Sequence, residues 1–444
     1  MSEVQEQPQV MNRWLVVVGA VLIQLALGAI YAWSVFTPPL VELGWTRQQT
    51  QIVFSVGLAS FAIVMVAAGQ IILPKIGPRY LAMSGGVVLG LGYVLAGLVP
   101  VSVASLVILI GLMGGAGIGL SYVVPIGVGM AWFPDRKGMI TGLAVAGFGF
   151  GATIWIKMAD DWGNLLANFE LQGTFIIYGI VFLVMVVGGG YFMVNPPKGW
   201  KPETLADVKV AEEVTEERIT ESEPEPEPEP EVPLEAEIDI GPMDMIKTKQ
   251  YGLILFTFIF SAMSGLMTIG LAYLYPMEAL VEFGGYTIVE AAIIAGTGMG
   301  IFYALANGIG RIVWGSISDK ITVKKSIFLM CVMQGIAMIA FQWLAGFEWS
   351  LYIGITIIGF NFGGNFALFP AMTAETFGAK KVSANYGWVF LAYGIAGIIG
   401  PQLGGFLGDQ GVFALAFTIC GILTLSAAAL AYITYPITKE QVID

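Results

Sequence analysis

Residues 14–36 read WLVVVGAVLIQLALGAIYAWSVF, a run of 23 residues without a charged side chain. At about 1.5 Å of rise per residue, a helix of this length crosses a hydrocarbon layer roughly 30 Å thick. No small-residue cleavage site ends the run, so we interpret it as a membrane span and not as a signal peptide.

Eleven further apolar runs predict an all-α membrane protein with twelve transmembrane helices. The predicted spans are 14–36, 51–73, 80–99, 105–131, 139–158, 172–194, 250–275, 288–314, 326–346, 350–371, 385–408 and 412–435. The composition agrees, because 57% of the residues are hydrophobic and 12% are charged, whereas soluble domains have roughly 25% charged residues. We therefore expect a lipid bilayer to surround most of the surface.

Basic residues are divided unevenly between the two sets of connections. The termini and the even-numbered connections carry 17 of the 20 Lys and Arg residues, and the opposite side carries only Arg47 and Lys157. Because basic residues are retained on the cytoplasmic side, we expect a multi-pass protein of the cell membrane with both termini and the central loop in the cytoplasm. The net charge of −12 is mostly local, since residues 195–249 hold 16 of the 32 acidic residues. It gives no indication of a nucleic-acid partner.

Two pairs of similar segments indicate an internal duplication. Residues 133–142 and 377–387 both begin with Phe and place two basic residues at the same distance, with an offset of 244 residues. A second pair, 70–79 and 315–325, has nearly the same offset. We therefore predict two six-helix bundles related by a pseudo-repeat. The predicted domains are an N-terminal bundle at 1–194, an acidic Pro/Glu-rich cytoplasmic loop at 195–249 and a C-terminal bundle at 250–444.

The central loop contains an alternation of Pro and Glu at 223–231. Such a sequence favours an extended, self-repelling chain. It is interpreted as a solvated spacer, with a docking site for a partner as the alternative.

One formal charge lies well inside a predicted span: Arg311, in the segment Asn307-Gly-Ile-Gly-Arg311. A guanidinium in a bilayer is costly unless it is paired, and no carboxylate in a predicted span is available as a constant partner. A small anion could supply the charge, because the planar guanidinium matches a carboxylate. Asn307 lies one turn earlier on the same face and could donate to the same anion or pack against another span. Alternatively, Arg311 snorkels to the cytoplasmic interface or caps carbonyl groups.

The segment Gly315-x-x-x-Asp319-Lys320 resembles the loop signature of the major facilitator superfamily. More closely, the chain resembles the oxalate–formate antiporter family, a branch related to the monocarboxylate transporters. The motifs that carry this resemblance lie at 28–36, 132–138, 142–147, 195–200, 307–319 and 385–387. The resemblance implies the major facilitator fold, and it implies that Arg311 binds the carboxylate of the substrate.

The chain departs from the family in span 11. In that span, oxalate exchangers of the family have a segment similar to Thr-Ala-Lys-Gly, whereas this chain has Leu391-Ala-Tyr393-Gly394. A single cation balances one carboxylate, and a dianion would leave one charge unpaired in a medium of low dielectric constant. We therefore predict a small, lactate- or pyruvate-like monocarboxylate as the substrate, with Tyr393 as a hydrogen-bond donor. Further candidates for the walls of the site, which could instead be packing residues, are Tyr31, Tyr122, Phe148, Phe362 and Phe366.

The coupling and the rival functions follow from the same residues. Monocarboxylate transporters often have an aspartate at the position of Asn307, and an asparagine cannot titrate. We therefore expect a proton to travel on the substrate carboxyl or to be shared with it near Arg311. Exchange of oxalate- or formate-type anions is the alternative, and a membrane carboxylate sensor is the alternative outside transport. Because the chain has no histidine and no carboxylate pair in the predicted spans, we expect no enzymatic activity, metal site or cofactor.

Overall fold

The computed structural model describes residues 11–133, 137–197, 240–271, 273–378 and 381–434, except for the side chains of 137–144 and 383. Most of the predicted acidic loop, 198–239, lies outside the described residues. Within the described ranges the secondary structure is helical, without β-strands. The membrane spans of the N-terminal half are Arg13–Glu42, 47–76, 78–98, Val103–Trp132, Lys137–Ala159 and Leu165–Tyr191. Those of the C-terminal half are Lys249–Leu271, Ile288–Ile321, Val323–Leu344, Glu348–Phe377, Val382–Asp409 and Phe413–Ile433.

These helices are numbered span 1 to span 12 below, and they confirm the predicted twelve-helix architecture. The helical stretch Arg47–Leu98, at 52 residues, is too long for one crossing. It breaks at Gly77, where the backbone has φ 77°. This conformation is open to glycine because glycine has no Cβ, and it separates span 2 from span 3.

Among the described residues, four spans contain a segment that is not regular α-helix, and spans 2 and 4 have theirs at Ala68–Ile72 and Val107–Gly114. Span 1 changes from an α-helix, Arg13–Leu27, to a buried 3-10 helix, Gly28–Phe36. Span 8 contains a π-helical segment, Gly298–Tyr303, before its α-helix Ala304–Ile321. Such irregular turns change the direction of the side chains that follow and are frequent at functional sites.

The two halves pack against each other through three pairs of helices: span 1 with span 7, span 2 with span 11, and span 5 with span 8. Within each half, the backbones of neighbouring helices approach closely at glycine residues, which have no side chain to keep them apart. A Cβ on Gly28 in span 1 would lie 2.1 Å from the carbonyl oxygen of Phe148 in span 5. A Cβ on Gly363 in span 10 would lie 2.1 Å from the carbonyl oxygen of Asn307 in span 8. Small residues thus hold spans 5 and 8 firmly within their own halves.

The side that carries the odd-numbered connections, opposite the termini, is called the distal side here. There Asp409, at the end of span 11, accepts hydrogen bonds from the backbone N–H groups of Arg47 and Gln48, at 2.9 and 3.1 Å. The Arg47 side chain forms an ion pair with Glu278. Both contacts join the first turn of span 2 to the C-terminal half, so the halves are tied together at the distal side.

On the opposite side, the end of the central loop is hydrogen-bonded to the C-terminal half. The Ile240 N–H donates to the carbonyl oxygen of Phe377 at 2.9 Å. The Asn385 side-chain amide donates to the carbonyl oxygen of Ile240 at 2.9 Å. Asn385, which begins the motif at 385–387, thus attaches the end of the loop to the start of span 11.

Candidate functional site

Arg311 is buried at the interface between the halves. Its side chain is 2% exposed, and it does not snorkel to the membrane surface. Its Nε and Nη2 atoms donate hydrogen bonds to Oδ1 of Asn307 at 3.2 and 3.1 Å. Its Nη1 atom donates to the backbone carbonyl of Val145 in span 5 at 2.8 Å. The guanidinium therefore caps one carbonyl group and joins span 8 to the other half of the molecule.

Hydrogen-bond donors remain at this position. A guanidinium has five N–H groups, of which the three hydrogen bonds above use three, and the Tyr31 and Tyr122 hydroxyls also interact with the guanidinium. The Nδ2 atom of Asn307 is buried and has no hydrogen-bond partner among the described residues. In the described part of the chain, no carboxylate pairs with Arg311. A buried donor without a partner costs about 1–3 kcal/mol, so the arrangement favours an anionic acceptor with two oxygen atoms.

Aromatic rings flank the guanidinium on two sides. The Cζ atom of Arg311 lies 4.0 Å from the ring centroid of Phe366 and 5.6 Å from that of Phe148. Phe366 belongs to span 10 and Phe148 to span 5, so both halves contribute a ring. The rings exclude water from the cation and stabilise it through their π-electrons.

A hydrogen bond between two tyrosines crosses the interface on the other side of the rings. The Tyr393 hydroxyl in span 11 donates to the Tyr31 hydroxyl in the 3-10 segment of span 1, at 3.0 Å. Tyr31 and Tyr122 also interact electrostatically with Arg311. The predicted cation and the predicted hydroxyl donors therefore belong to one cluster.

The remaining predicted residues complete this cluster. The Phe148 ring lies 5.0 Å from the Tyr31 ring and 5.5 Å from the Tyr122 ring. The Phe362 ring lies 5.9 Å from that of Tyr31 and 5.4 Å from that of Phe366. The structure thus brings together all the residues that the sequence singled out: Arg311, Asn307, Tyr393, Tyr122, Tyr31, Phe148, Phe362 and Phe366.

Among the further rings of the cluster, Phe61 and Phe390 were missed by the sequence analysis. Phe61 in span 2 lies 5.1 Å from Tyr122, and the Phe390 ring lies 4.8 Å from that of Tyr393. Phe61 and Phe390 are 5.3 Å apart and face each other across the interface. Phe390 had a detectable signal, because it stands three residues before Tyr393 on the same helical face. Phe61 had none, since it is one aromatic residue among many in apolar spans.

An all-helical membrane protein, built from two similar halves with a buried cation between them, has the architecture of a secondary transporter. The chain matches the Major Facilitator Superfamily over residues 17–302 and 253–442. It belongs to that family of multi-pass membrane transporters.

Similarity to individual proteins adds detail. The chain is 30% identical over 392 residues to the uncharacterized MFS-type transporter YhjX of Escherichia coli (strain K12), covering 87% of this chain and 86% of that protein. It is 25% identical over 439 residues to the oxalate:formate antiporter of Oxalobacter formigenes, covering 96% and 92%. It is 24% identical over 359 residues to monocarboxylate transporter 12 of Mus musculus, covering 78% and 70%. The predicted relation to oxalate–formate antiporters and monocarboxylate transporters is confirmed.

A solved structure supports the fold. The chain resembles a bacterial homologue of the human lysosomal transporter Spinster, in an inward-facing and unoccupied conformation, with a TM-score of 0.62 at 13% identity. The similarity covers 95% of this chain and 96% of that chain. The resemblance confirms the major facilitator fold of two six-helix bundles.

Proposed function

We propose that this protein carries small monocarboxylates, lactate- or pyruvate-like, by alternating access, and that Arg311 binds the substrate carboxylate. The observation that supports this proposal is the bonding of the guanidinium. Arg311 is buried and, among the described residues, hydrogen-bonds only to neutral groups, next to an unused amide donor on Asn307. A carboxylate would satisfy these donors and supply the missing negative charge.

The count of cations favours a substrate with one negative charge. The ring cluster around Arg311 contains one cation. Tyr393 occupies the position at which the similar oxalate exchangers have a lysine. Lys157, the other cation with a buried side chain in the described residues, lies toward the distal side and pairs with Asp161. A dicarboxylate in the cluster would therefore leave one charge without a partner, at a cost of several kcal/mol.

Coupling to a proton follows from the charge of the substrate. An anion that moves alone works against an inside-negative membrane potential, at about 2.3 kcal/mol per 100 mV. Asn307 does not titrate, so the proton travels on the substrate carboxyl or is shared with it near Arg311. The excess of basic residues on the side of the termini favours a cell-membrane protein with cytoplasmic termini, which makes the distal side external.

Exchange of carboxylates is the second candidate. The similarity to the oxalate:formate antiporter, which covers 96% of this chain, favours it. Exchange of one monocarboxylate for another moves no net charge, whereas exchange of oxalate for formate moves one. It would require carboxylate inside the vesicle, and it would not respond to a pH gradient.

Transport in proteoliposomes tests these alternatives. Labelled lactate, pyruvate, acetate, formate and oxalate are offered to vesicles with and without internal carboxylate, under an inward pH gradient or at equal pH. Uptake of a monocarboxylate into vesicles without internal anion, stimulated by the gradient, is the expected result. Uptake that needs internal carboxylate and ignores the gradient would establish exchange, and binding without flux would indicate a sensor.

Substitution of Arg311 tests the assigned residue. We expect Arg311→Ala to raise KM for the carboxylate about 100-fold or more, because it removes two charge-assisted hydrogen bonds of about 1.5–3 kcal/mol each. Arg311→Lys should recover little, since an ammonium has no planar fork. Lys247→Ala, which removes an exposed cation paired with Asp244, is the matched control. Transport near the wild-type level by both Arg311 variants would contradict the assignment.

A further inference from the structure

Lys157 is a buried cation outside the site described above. It lies in the last turn of span 5, and its side chain is 2% exposed. Its Nζ atom is 3.1 Å from Oδ2 of Asp161, whose side chain is 54% exposed. The lysine is therefore enclosed by protein, whereas its partner stands in contact with the exterior.

The same two helices that carry the Arg311 site enclose Lys157. A Cβ on Gly300 in span 8 would lie 3.1 Å from Cε of Lys157, so the backbone of the other half covers the lysine stem. Lys157 follows Val145 by twelve residues, and Gly300 precedes Arg311 by eleven. At about 1.5 Å per residue, the backbone of Lys157 lies roughly 16–18 Å along the helices from the Arg311 site, toward the distal side.

Lys157 thus lies on the seam that must open for a substrate to reach Arg311 from the distal side. When spans 5 and 8 separate there, Gly300 withdraws from the lysine and the ammonium becomes part of the wall of the access path. In the described part of the chain, Lys157 and Arg311 are the two cations with buried side chains. A carboxylate moving toward Arg311 would pass this ammonium, which at present holds a carboxylate of the protein itself.

We propose that Lys157 is a transient carboxylate-binding residue on the distal access path, and that Asp161 replaces the substrate on its ammonium when the halves close. The inference rests on the proposed transport of carboxylates. An open path with a cation at its wall attracts an anion that would otherwise meet Asp160 and Asp161. Return of Asp161 to the lysine then releases the substrate inward and leaves no buried ammonium unpaired.

Opposite effects of two substitutions distinguish this role from that of a simple lock. If substrate and Asp161 compete for Lys157, Lys157→Gln raises the distal-side KM about fivefold or more, because a charge-assisted hydrogen bond is lost. Asp161→Asn removes the competitor and lowers the distal-side KM. If the ion pair, which joins two residues of the same half, only stabilises the closed form, both substitutions break the same bond and shift KM in the same direction.

The measurement uses lactate uptake by intact cells, which expose the distal side, and by inside-out vesicles, which expose the other side. Opposite shifts on the distal side, with Lys157→Arg close to wild type and the cytoplasmic-side KM unchanged, are the expected result. Glu282→Gln, which removes an exposed acid on the same side, controls for general electrostatic attraction.

Shifts in the same direction, or equal shifts on both sides, would overturn the inference while Arg311-dependent transport stands. Absence of carboxylate transport by the wild type would overturn both proposals. If Lys157→Gln does not insert, the comparison of Asp161→Asn with Glu282→Gln decides, since a lower distal-side KM in Asp161→Asn alone, without a change on the other side, is expected only from competition.

Discussion

At the scale of single residues, the neutrality of Asn307 decides how Arg311 is available to a ligand. The amide oxygen of Asn307 accepts two hydrogen bonds from the guanidinium and so fixes its orientation. Because the amide carries no charge, it leaves the positive charge of Arg311 uncompensated. A residue of the same shape but with a negative charge would orient the guanidinium and neutralise it at the same time.

Asn307→Asp should therefore weaken carboxylate binding. The new carboxylate would form a permanent ion pair with Arg311, and we expect KM for lactate at pH 7 to rise about tenfold or more. The ion pair with the guanidinium favours the ionised acid, so the loss should persist down to moderately acidic pH. Transport assays from pH 5 to pH 8 test this, with Asn307→Leu as an uncharged control. An affinity equal to that of the wild type would show that the charge of Arg311 is not used.

Tyr393 should set the charge preference. Tyr393→Lys adds a second cation on the side chain that now hydrogen-bonds to Tyr31, and we expect competition by oxalate to increase relative to lactate. Tyr393→Phe keeps the ring and removes only the hydroxyl, so it should weaken the binding of lactate without improving that of oxalate. A wild-type protein that already prefers oxalate would contradict the argument from a single cation.

The sequence located the charged part of the site better than its apolar walls. Arg311 was predictable because a single cation in an apolar span has few explanations other than function or snorkelling. Phe61 was not predictable, because a phenylalanine in a membrane span can face lipid, a neighbouring helix or the site, and the sequence pattern is the same in all three cases. Its role depends on the contact with Phe390 of the other half, which only the packing of spans 2 and 11 creates.

At the scale of helices, glycine contacts hold the site in place. A Cβ on Gly310 would lie 2.0 Å from the carbonyl oxygen of Phe360, and one on Gly363 would lie 2.1 Å from that of Asn307. The obstructing atoms are backbone atoms, so an added methyl group cannot be accommodated by a change of rotamer. Spans 8 and 10 would have to move apart, and Arg311 would move with span 8.

Gly363→Ala should therefore lower both stability and affinity. We expect a loss of about 1–3 kcal/mol in the free energy of unfolding, as for other overpacked interiors, together with a higher KM for the carboxylate. Gly188→Ala is the matched control, because a Cβ on Gly188 meets no atom within 4 Å. Thermal unfolding in detergent and transport assays measure the two effects. Equal behaviour of the two variants would show that spans 8 and 10 tolerate a wider spacing.

The helix boundaries show where local sequence patterns stop being informative. The turn between spans 2 and 3 was expected between residues 73 and 80, and the helix breaks at Gly77, because glycine there takes a left-handed conformation. Lys157, in contrast, is counted in the sequence analysis among the basic residues of the distal side, and its side chain is buried. Its enclosure depends on Gly300 of span 8, a contact between residues 143 positions apart.

At the scale of the whole molecule, charged contacts decide how easily the distal side opens. Asp409 places its carboxylate at the N-terminus of span 2, where the helix dipole favours a negative charge by about 0.3–2 kcal/mol. Asp409→Asn should shift the equilibrium toward a distal-open form. Distances between spin labels at Leu43 and Val412, both exposed on the distal side, should increase. The Glu282→Gln variant should keep the wild-type distances, and unchanged distances in Asp409→Asn would contradict the latch.

Closure of the distal side should also depend on pH through Asp160. Burial, and then the nearby charge of Asp161, raises the pKa of the Asp160 carboxyl above its usual value, although Lys157 lowers it in part. From the other half, Asp160 faces Gly296 and Tyr273. A raised pKa means that this closed arrangement favours the protonated acid. Its stability is therefore complete below about pH 4, the ordinary range of the group, and decreases as the pH rises through the raised pKa.

Distances between spin labels at Trp162 and Ile293, which are exposed at the distal ends of spans 5 and 8, test this dependence. We expect the population with short distances to grow as the pH falls from 7 to about 4. Asp160→Asn, which resembles the protonated acid, should make the distances short and independent of pH. A wild-type distribution that does not change with pH would contradict the assignment to Asp160.

The rings between the halves also have an electrical consequence. A proton leaks through a membrane protein along an unbroken file of hydroxyl groups and water. Around the hydroxyl pair of Tyr31 and Tyr393, the rings of Phe61, Phe148 and Phe390 pack with centroids 4.8–5.8 Å from those of the tyrosines. Their C–H edges and faces cannot pass a proton, so they interrupt such a file. A carrier at rest in this form insulates the bilayer, so that under the proposed coupling the proton gradient is not short-circuited between one transport cycle and the next.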